Sequence, residues 1–113
     1  MKNFTKLNKV VKNFRPEIIF HLAAQPIVFN AFKSPYDTWN SNLYSTLNLF
    51  RSIENTSSVK CIIVITSDKV YQNLNNKKLM QEKDFLSGSE TYSMSKVSVE
   101  NFVRFYTKKN KKI

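Results

Sequence analysis

Glycine is almost absent from this chain, because Gly88 is the only one among 113 residues. Loops that bring backbone close to a phosphate group need several glycines, so this sequence contains no complete glycine-rich phosphate-binding loop. Cysteine is equally scarce. The single residue, Cys61, excludes an internal disulfide and a cysteine-based metal cluster. We therefore expect no metal centre.

Long hydrophobic runs are also missing. No apolar stretch approaches the roughly 18 residues that a membrane-crossing helix requires. Residues 1–14 mix lysine with apolar residues and contain no continuous hydrophobic region of the kind that signal peptides carry. Because hydrophobic residues still make up 42% of the chain, the composition indicates a folded globular protein. We expect one cytoplasmic domain, residues 1–113, with no membrane partner.

Acidic residues are few: eight stand against eighteen Lys and Arg, and the formal net charge is +10. Such an excess makes a nucleic-acid partner worth testing. The lysines gather near both ends, however, at 2–12 and 108–112, and no arginine-rich cluster interleaved with aromatics lies between them. Solvated lysine faces are therefore the favoured interpretation, and a polyanion site is the alternative.

Hydrophobic periodicity predicts the order helix, strand, helix, strand, helix. The first helix has apolar residues at helical spacing from Phe4 to Phe14, and the last runs from about Tyr92 to Tyr106. Continuous apolar runs at 18–24 and 61–65 predict strands buried on both faces. The middle helix begins at Ser34, as N-cap, and Pro35. Its predicted apolar stripe is Trp39, Leu43, Leu47, Phe50 and Ile53.

Alternating strands and helices predict parallel pairing with right-handed crossovers, which is a doubly wound α/β arrangement. Two strands alone leave both sheet edges unpaired, and parallel sheets normally carry helices on both faces. We therefore expect neighbouring strands to be missing through truncation or to be supplied by another chain. A non-catalytic module that completes a partner's sheet is one alternative, and a homo-oligomer is another way to cover these edges.

Two polar segments carry the chemistry. The segment 66–69, Thr-Ser-Asp-Lys, follows the second strand, where open α/β sheets place ligands. Tyr92 and Lys96 lie four residues apart and so share one helix face. A free phenol is a poor base at neutral pH, but a nearby ammonium favours the phenolate. A hydroxyl such as that of Ser67 could hold a substrate oxygen while the phenolate takes its proton.

Simpler interpretations apply to each of these residues. Tyr92 and Lys96 could be a chance surface pair, since the Tyr-x-x-x-Lys spacing is common. Asp68 could cap a loop. His21 lies inside a predicted strand and is interpreted as a packed core histidine rather than a ligand. The position of the pair after an apolar strand that ends in Thr-Ser-Asp favours function.

The chain resembles the extended short-chain dehydrogenase/reductases and, among them, the CDP-glucose 4,6-dehydratases. The segments that carry the resemblance are residues 15–26 (RPEIIFHLAAQP), 66–71 (TSDKVY) and 92–96 (YSMSK), with Asn42, Thr46 and Asn48. The pair Asp68-Lys69, where the wider dehydratase group has Asp-Glu, favours the CDP-glucose branch. The resemblance implies a partial Rossmann-like domain that lacks the N-terminal glycine-rich βαβ unit and the C-terminal substrate domain.

The resemblance also implies residue roles. Tyr92 would take the proton from the sugar O4, Ser67 would hydrogen-bond that oxygen, and Lys96 would hold the nicotinamide ribose. Asp68 would protonate the departing C6 hydroxyl, and Lys69 would assist proton removal at C5. The residues implied near NAD are Ala23, Ala24, Gln25, Asn42, Thr66, Tyr92 and Lys96. The implied activity is that of a lyase of polysaccharide biosynthesis, acting on a nucleotide sugar, with little activity in this chain alone.

Overall fold

A computed structural model describes residues 1–72 and 79–110 and shows the predicted order of elements. The main elements are α1 (Phe4–Phe14), β1 (Ile18–His21), β2 (Cys61–Val64) and α5 (Thr91–Lys109). Between the strands lie α2 (Val28–Lys33), α3 (Pro35–Trp39), a π-helical turn (Asn40–Tyr44) and α4 (Ser45–Ile53). A 3-10 turn (Asp68–Val70) follows β2. The short helix α2 is an addition to the predicted order.

The two strands pair in parallel, with Ile18 opposite Cys61 and His21 opposite Val64. This pairing confirms the α/β topology predicted from the alternation of strands and helices. One sheet face carries Ile19, Ile62 and Val64, which pack against a core of buried residues from α1, α4 and the segment before β2. The members of that core are Val11, Phe50, Ile53 and Val59.

Aromatic side chains join α4 to α5 inside this core. The ring of Phe50 lies edge-on to Phe102 at a centroid distance of 5.2 Å and edge-on to Tyr106 at 4.7 Å. Edge-to-face contacts at such distances add to the stability that burial provides. The C-terminal half of α5 is therefore fixed to α4, and its N-terminal half reaches the carboxyl ends of the strands.

The predicted burial of both sheet faces is wrong. Ile18 and Phe20 are 57% and 62% exposed, and Ile63 is 39% exposed. Successive side chains of a strand point to opposite faces, so these residues share the face away from the helices. β1 also ends at His21, short of the predicted residue 24. A continuous apolar run looks the same in a sequence whether one face of the strand is covered or both.

The predicted stripe of the middle helix is also partly wrong. Phe50 and Ile53 are buried as expected, but Trp39, Leu43 and Leu47 are only half-buried. The π-helical turn adds a residue to the helical turn and so shifts the inward face to polar side chains. Those inward residues are Thr38, Asn42, Ser45 and Thr46. The predicted N-cap Ser34 makes no capping bond through its side chain.

The polar segment between the 3-10 turn and α5 folds back on that turn. Gln72 N donates to the carbonyl of Phe85 (3.0 Å), and Ser87 N donates to that of Val70 (2.9 Å). Residues 73–78 of this segment lie outside the described residues. Among the helices of the described part, none is both long and apolar enough to cross a bilayer.

Candidate active site

Lys96 is a charged residue buried at the end of β2. Its side chain lies on α5, is 5% exposed, and donates from Nζ to the carbonyl oxygen of Ile65 (3.2 Å). Burial lowers the pKa of the Lys96 ammonium, because water no longer solvates the charge. Ile65 immediately precedes Thr66, so this bond brings the ammonium to the segment that the sequence singled out.

Tyr92 lies one helical turn before Lys96 and is also buried. The Lys96 Nζ is 6.0 Å from the centroid of the Tyr92 ring. The phenol and the ammonium therefore occupy the same side of α5, as their spacing predicts. The pair faces inward toward the strands, which counts against a chance surface pair.

Glu90 fixes the start of α5, and sequence reasoning missed it. Its carboxylate accepts from Tyr92 N (2.6 Å) and Ser93 N (2.8 Å), and Ser93 Oγ accepts from Glu90 N (3.1 Å). This is a reciprocal capping box in which the acid precedes the hydroxyl. The signal for it was present in the sequence as Glu-x-x-Ser at residues 90–93, with Tyr92 inside the motif. The cap places Tyr92 at the second residue of the helix.

Gly88 also positions the start of α5. A Cβ atom at this residue would lie 2.5 Å from Met94 N and 2.7 Å from Met94 Cα. Real Cβ atoms essentially never come that close to backbone, so only glycine lets this loop approach the helix. The single glycine of the chain therefore serves helix packing.

The segment after β2 divides into a part tied to α5 and a part exposed to solvent. Thr66 Oγ1 donates to Glu100 of α5 (2.5 Å). Ser67 Oγ donates to the Asp68 carboxylate (3.0 Å) and accepts from Lys69 N (3.2 Å). The side chains of Asp68 and Lys69 are exposed. The structure thus gathers Thr66, Tyr92 and Lys96 around the strand end and leaves Asp68 and Lys69 on the adjoining surface.

Asn42 links the loop after β1 to α5. Its Oδ1 accepts from Gln25 N (2.8 Å), and its Nδ2 donates to Ser95 Oγ (2.9 Å) and, more weakly, to Gln25 O (3.4 Å). Ser95 in turn donates to the carbonyl of Tyr92 (2.6 Å). The buried amide therefore contacts the residue just before Lys96, and it fixes α5 relative to the end of β1.

The three predicted cofactor residues after β1 differ in exposure and in hydrogen bonding. Ala23 is exposed, and Ala24 is half-buried. The side chain of Gln25 holds its own loop: Nε2 donates to the carbonyl of Ile27 (3.0 Å) and to Thr38 (3.1 Å), and Oε1 accepts from Ile27 N (2.6 Å). This loop presents small alanine side chains beside the strand ends, where another group could approach the backbone.

The fold and the site define a class. Parallel strands with a crossover helix, and polar side chains at the carboxyl ends of those strands, define a Rossmann-like α/β domain. The GDP-mannose 4,6 dehydratase family model matches residues 1–112. The chain belongs to this family.

Two curated relatives agree with this assignment. The chain is 34% identical over 100 residues to the CDP-glucose 4,6-dehydratase of Salmonella typhimurium, over 88% of this chain and 28% of that protein. It is 30% identical over 112 residues to the dTDP-D-glucose 4,6-dehydratase of Dictyostelium discoideum, over 90% of this chain and 26% of that protein. The chain thus spans about a quarter of the length of these relatives.

A solved structure shows the same fold. The Thermus thermophilus UDP-glucose 4-epimerase, in complex with NAD, superposes with a TM-score of 0.86 and 21% identity. The superposition covers 96% of this chain and 35% of that one. The Rossmann-like fold predicted from the sequence is therefore confirmed, and the chain corresponds to about a third of the solved protein.

Proposed function

We propose that this chain is the catalytic segment of an NAD-dependent nucleotide-sugar 4,6-dehydratase, a cytoplasmic lyase of the CDP-glucose type. The observation that carries the proposal is the buried Lys96 ammonium bound to the last carbonyl before Thr66, with Tyr92 on the same helix face. An ammonium is expensive to bury. Its retention beside a phenol at a sheet's carboxyl edge is typical of catalysis.

The proposed roles divide by burial. Tyr92, one helical turn from the Lys96 ammonium, takes the proton of the sugar O4 hydroxyl, and Ser67 donates a hydrogen bond to that oxygen. Asp68 gives a proton to the C6 hydroxyl as it leaves, and Lys69 assists proton removal at C5. The exposure of Asp68 and Lys69 supports these two roles, because a substrate can reach them from the open side of the turn.

The residues present fit the nicotinamide-ribose part of NAD. Lys96 uses one of its three N–H donors on Ile65 O, so two remain for ribose hydroxyls. Ala23 and Ala24 present little side chain beside the strand end, and Thr66 lies next to it. The pyrophosphate part needs a glycine-rich turn, and Gly88 is already packed against α5. NAD, when bound, supplies a hydride acceptor to the sugar.

The test uses a completed enzyme, in which residues 1–113 replace the matching segment of the Salmonella typhimurium CDP-glucose 4,6-dehydratase. Tyr92→Phe should lower kcat by about 10²–10⁴, the usual contribution of a positioned acid-base group. Tyr36→Phe is the matched control, because Tyr36 is 84% exposed on α3. Circular dichroism confirms that both variants fold. A Tyr92→Phe enzyme with half of the parent rate or more would refute the assignment.

Lys69 tests the finer part of the proposal, because the pair Asp68-Lys69 is the feature that favours the CDP-glucose branch. Lys69→Glu, which restores the Asp-Glu pair of the wider group, tests whether Lys69 is part of the C5 chemistry. We expect this variant to lose activity while the exposed control Lys9→Glu keeps it. Equal activity of the two variants would remove Lys69 from the mechanism.

The bare sheet face favours a second candidate, a non-catalytic module that completes the sheet of a partner. Ile18, Phe20 and Ile63 are exposed on one face of a two-stranded sheet. In that case the chain should bind a glycine-rich βαβ segment of a related dehydratase without creating activity. Sedimentation of the mixture detects binding, and turnover of CDP-glucose by the resulting complex would favour the catalytic proposal instead.

A further inference from the structure

A chain of buried hydrogen bonds connects β1 to α5 beneath the candidate active site. His21 Nε2 lies 2.7 Å from Thr46 Oγ1, and Thr46 Oγ1 lies 2.6 Å from the carbonyl oxygen of Asn42. The Asn42 amide then bonds to Gln25 N and to Ser95 Oγ. His21, Thr46, Asn42 and Ser95 are each at most 5% exposed.

The available protons determine which group donates in each of these hydrogen bonds. The Thr46 hydroxyl has one proton, and the Asn42 carbonyl can only accept, so that proton goes to the carbonyl. His21 Nε2 must then carry a proton and donate it to Thr46 Oγ1. Nδ1 of His21 is buried and has no hydrogen-bond partner among the described residues. A proton on Nδ1 would be an unsatisfied buried donor, so burial also favours the neutral Nε2–H tautomer.

The backbone carbonyl that accepts the hydrogen bond from Thr46 lies in the π-helical turn. The wider turn displaces carbonyls from their usual partners, and hydroxyls of the next turn bond to two of them: Ser45 Oγ to Ser41 O, and Thr46 Oγ1 to Asn42 O. Back-bonds of this kind bend helices, and π-turns are common at functional sites. Here the turn directs the Asn42 side chain inward, between the Gln25 loop and α5.

We propose that His21 is a positioning residue. By donating to Thr46 it fixes the hydroxyl that holds the π-helical turn, and it thereby orients the Asn42 amide that joins the Gln25 loop to α5. An ordinary core histidine could be replaced by an apolar residue without a local effect at Gln25. One part of this proposal rests on the proposed function: the positioning of α5 matters for catalysis only if Tyr92 and Lys96, which α5 carries, are catalytic residues.

The tautomer is the first test. His21 is the only histidine of the chain, so nitrogen NMR of the uniformly labelled protein gives one imidazole pair. The expected result at neutral pH is a protonated Nε2 and a bare Nδ1. A protonated Nδ1 with a bare Nε2 would overturn the proposal, because Thr46 would then have to donate to His21 and could not hold the Asn42 carbonyl.

Amide exchange is the second test, measured at Gln25 and, as an internal reference, at Ile65, whose N–H bonds to His21 O in the sheet. His21→Leu and Thr46→Val should each accelerate exchange at Gln25 by about tenfold relative to Ile65, the effect of losing one hydrogen bond. Thr46→Ser, which keeps the hydroxyl, should retain the parent rate. Thr107→Val is the matched control, because Thr107 makes the same kind of back-bond far from the site.

Two results would contradict the proposal: an unchanged Gln25 rate, or equal acceleration at Gln25 and Ile65, which would indicate only a general loss of stability. If His21→Leu does not fold, the pair Thr46→Val and Thr46→Ser still decides the outcome. Neither test involves NAD or a sugar nucleotide, so the result is independent of whether the proposed function is correct.

Discussion

Within residues 1–72 and 79–110, the hydrogen-bond partner of the buried Lys96 ammonium is the carbonyl oxygen of Ile65 rather than a carboxylate. Desolvation of a charge opposes folding unless hydrogen bonds compensate it. Residues kept at such a cost commonly serve a function that conflicts with stability. We therefore expect a substitution at Lys96 to change stability and the proposed activity in opposite directions.

Replacing Lys96 with Met should raise the melting temperature at pH 7. Burial lowers the pKa of Lys96 below its ordinary value of about 10.5, so folding disfavours the charged form of this side chain. The advantage of the Met variant should shrink as pH rises through that lowered pKa, because the native lysine then becomes neutral. Thermal melts measure both effects. Lys109→Met, at an exposed position, is the control; a lower melting temperature for Lys96→Met would contradict the account.

His21 should make stability fall in mild acid. Burial lowers its pKa below the ordinary 6.5, and the charges of Lys96 and the amino terminus lower it further. The folded state therefore favours the neutral ring: its contribution is complete above pH 6.5 and is lost as pH falls through the lowered value. Urea titrations across this window should show a decline that His21→Leu removes. Parallel declines in both proteins would show that other groups are responsible.

Among single residues, spacing alone predicted that Tyr92 and Lys96 share a helix face, because a helix imposes that geometry on any sequence. It did not predict the bond from His21 to Thr46. Those residues are 25 positions apart, and their contact depends on how α4 packs against β1. Glu90 was detectable, but its capping box has the acid first, the reverse of the common order.

At the scale of elements, local patterns predicted the parallel pairing and the order of the long helices. They could not reveal the π-helical turn. In the sequence, Ser41, Ser45 and Thr46 look like ordinary helix residues, and only the structure shows that the hydroxyls of Ser45 and Thr46 bond to backbone carbonyls. Because of that turn, the inward face of the middle helix carries Asn42, Ser45 and Thr46 in place of part of the predicted apolar stripe. The order of the loop before α5 was likewise not predicted, because it depends on the close approach of Gly88 to the backbone of the first turn of α5.

Gly88→Ala tests the docking of that loop on α5. The added methyl would meet backbone atoms of Met94, which cannot move without disturbing the first turn of the helix. We expect a loss of about 1–3 kcal/mol in unfolding free energy, typical of overpacking. Chemical denaturation gives the value. Ser89→Ala, one residue away on an exposed position, should change stability little; an equally stable Gly88→Ala protein would show that the loop is not packed as described.

At the scale of the molecule, the dominant feature is the uncovered sheet face. Residues on alternate positions of both strands present apolar side chains on the side away from the helices: Ile18, Phe20, Leu22, Ile63 and Ile65. Contiguous apolar surfaces of this kind mark interaction sites. The chain spans 28% of the length of its Salmonella typhimurium relative.

The isolated chain should therefore self-associate through this face. Phe20→Glu, at the centre of the surface, should shift analytical sedimentation toward the monomer, because a carboxylate there would have to be desolvated in the contact. Phe32→Glu, on α2 and similarly exposed at 65%, is the matched control and should leave association unchanged. A wild-type monomer at high concentration, or equal effects of the two variants, would contradict this prediction.

The mass of the product formed by the completed enzyme tests the central claim most directly. A 4,6-dehydratase removes the C6 hydroxyl, so CDP-glucose should yield a sugar nucleotide lighter by one water. Tyr92→Phe should slow its formation by about 10²–10⁴-fold, while Tyr36→Phe preserves it. A product of unchanged mass would indicate an epimerase. A water-loss product that forms equally well without the Tyr92 hydroxyl would mean that this chain does not carry the catalytic group.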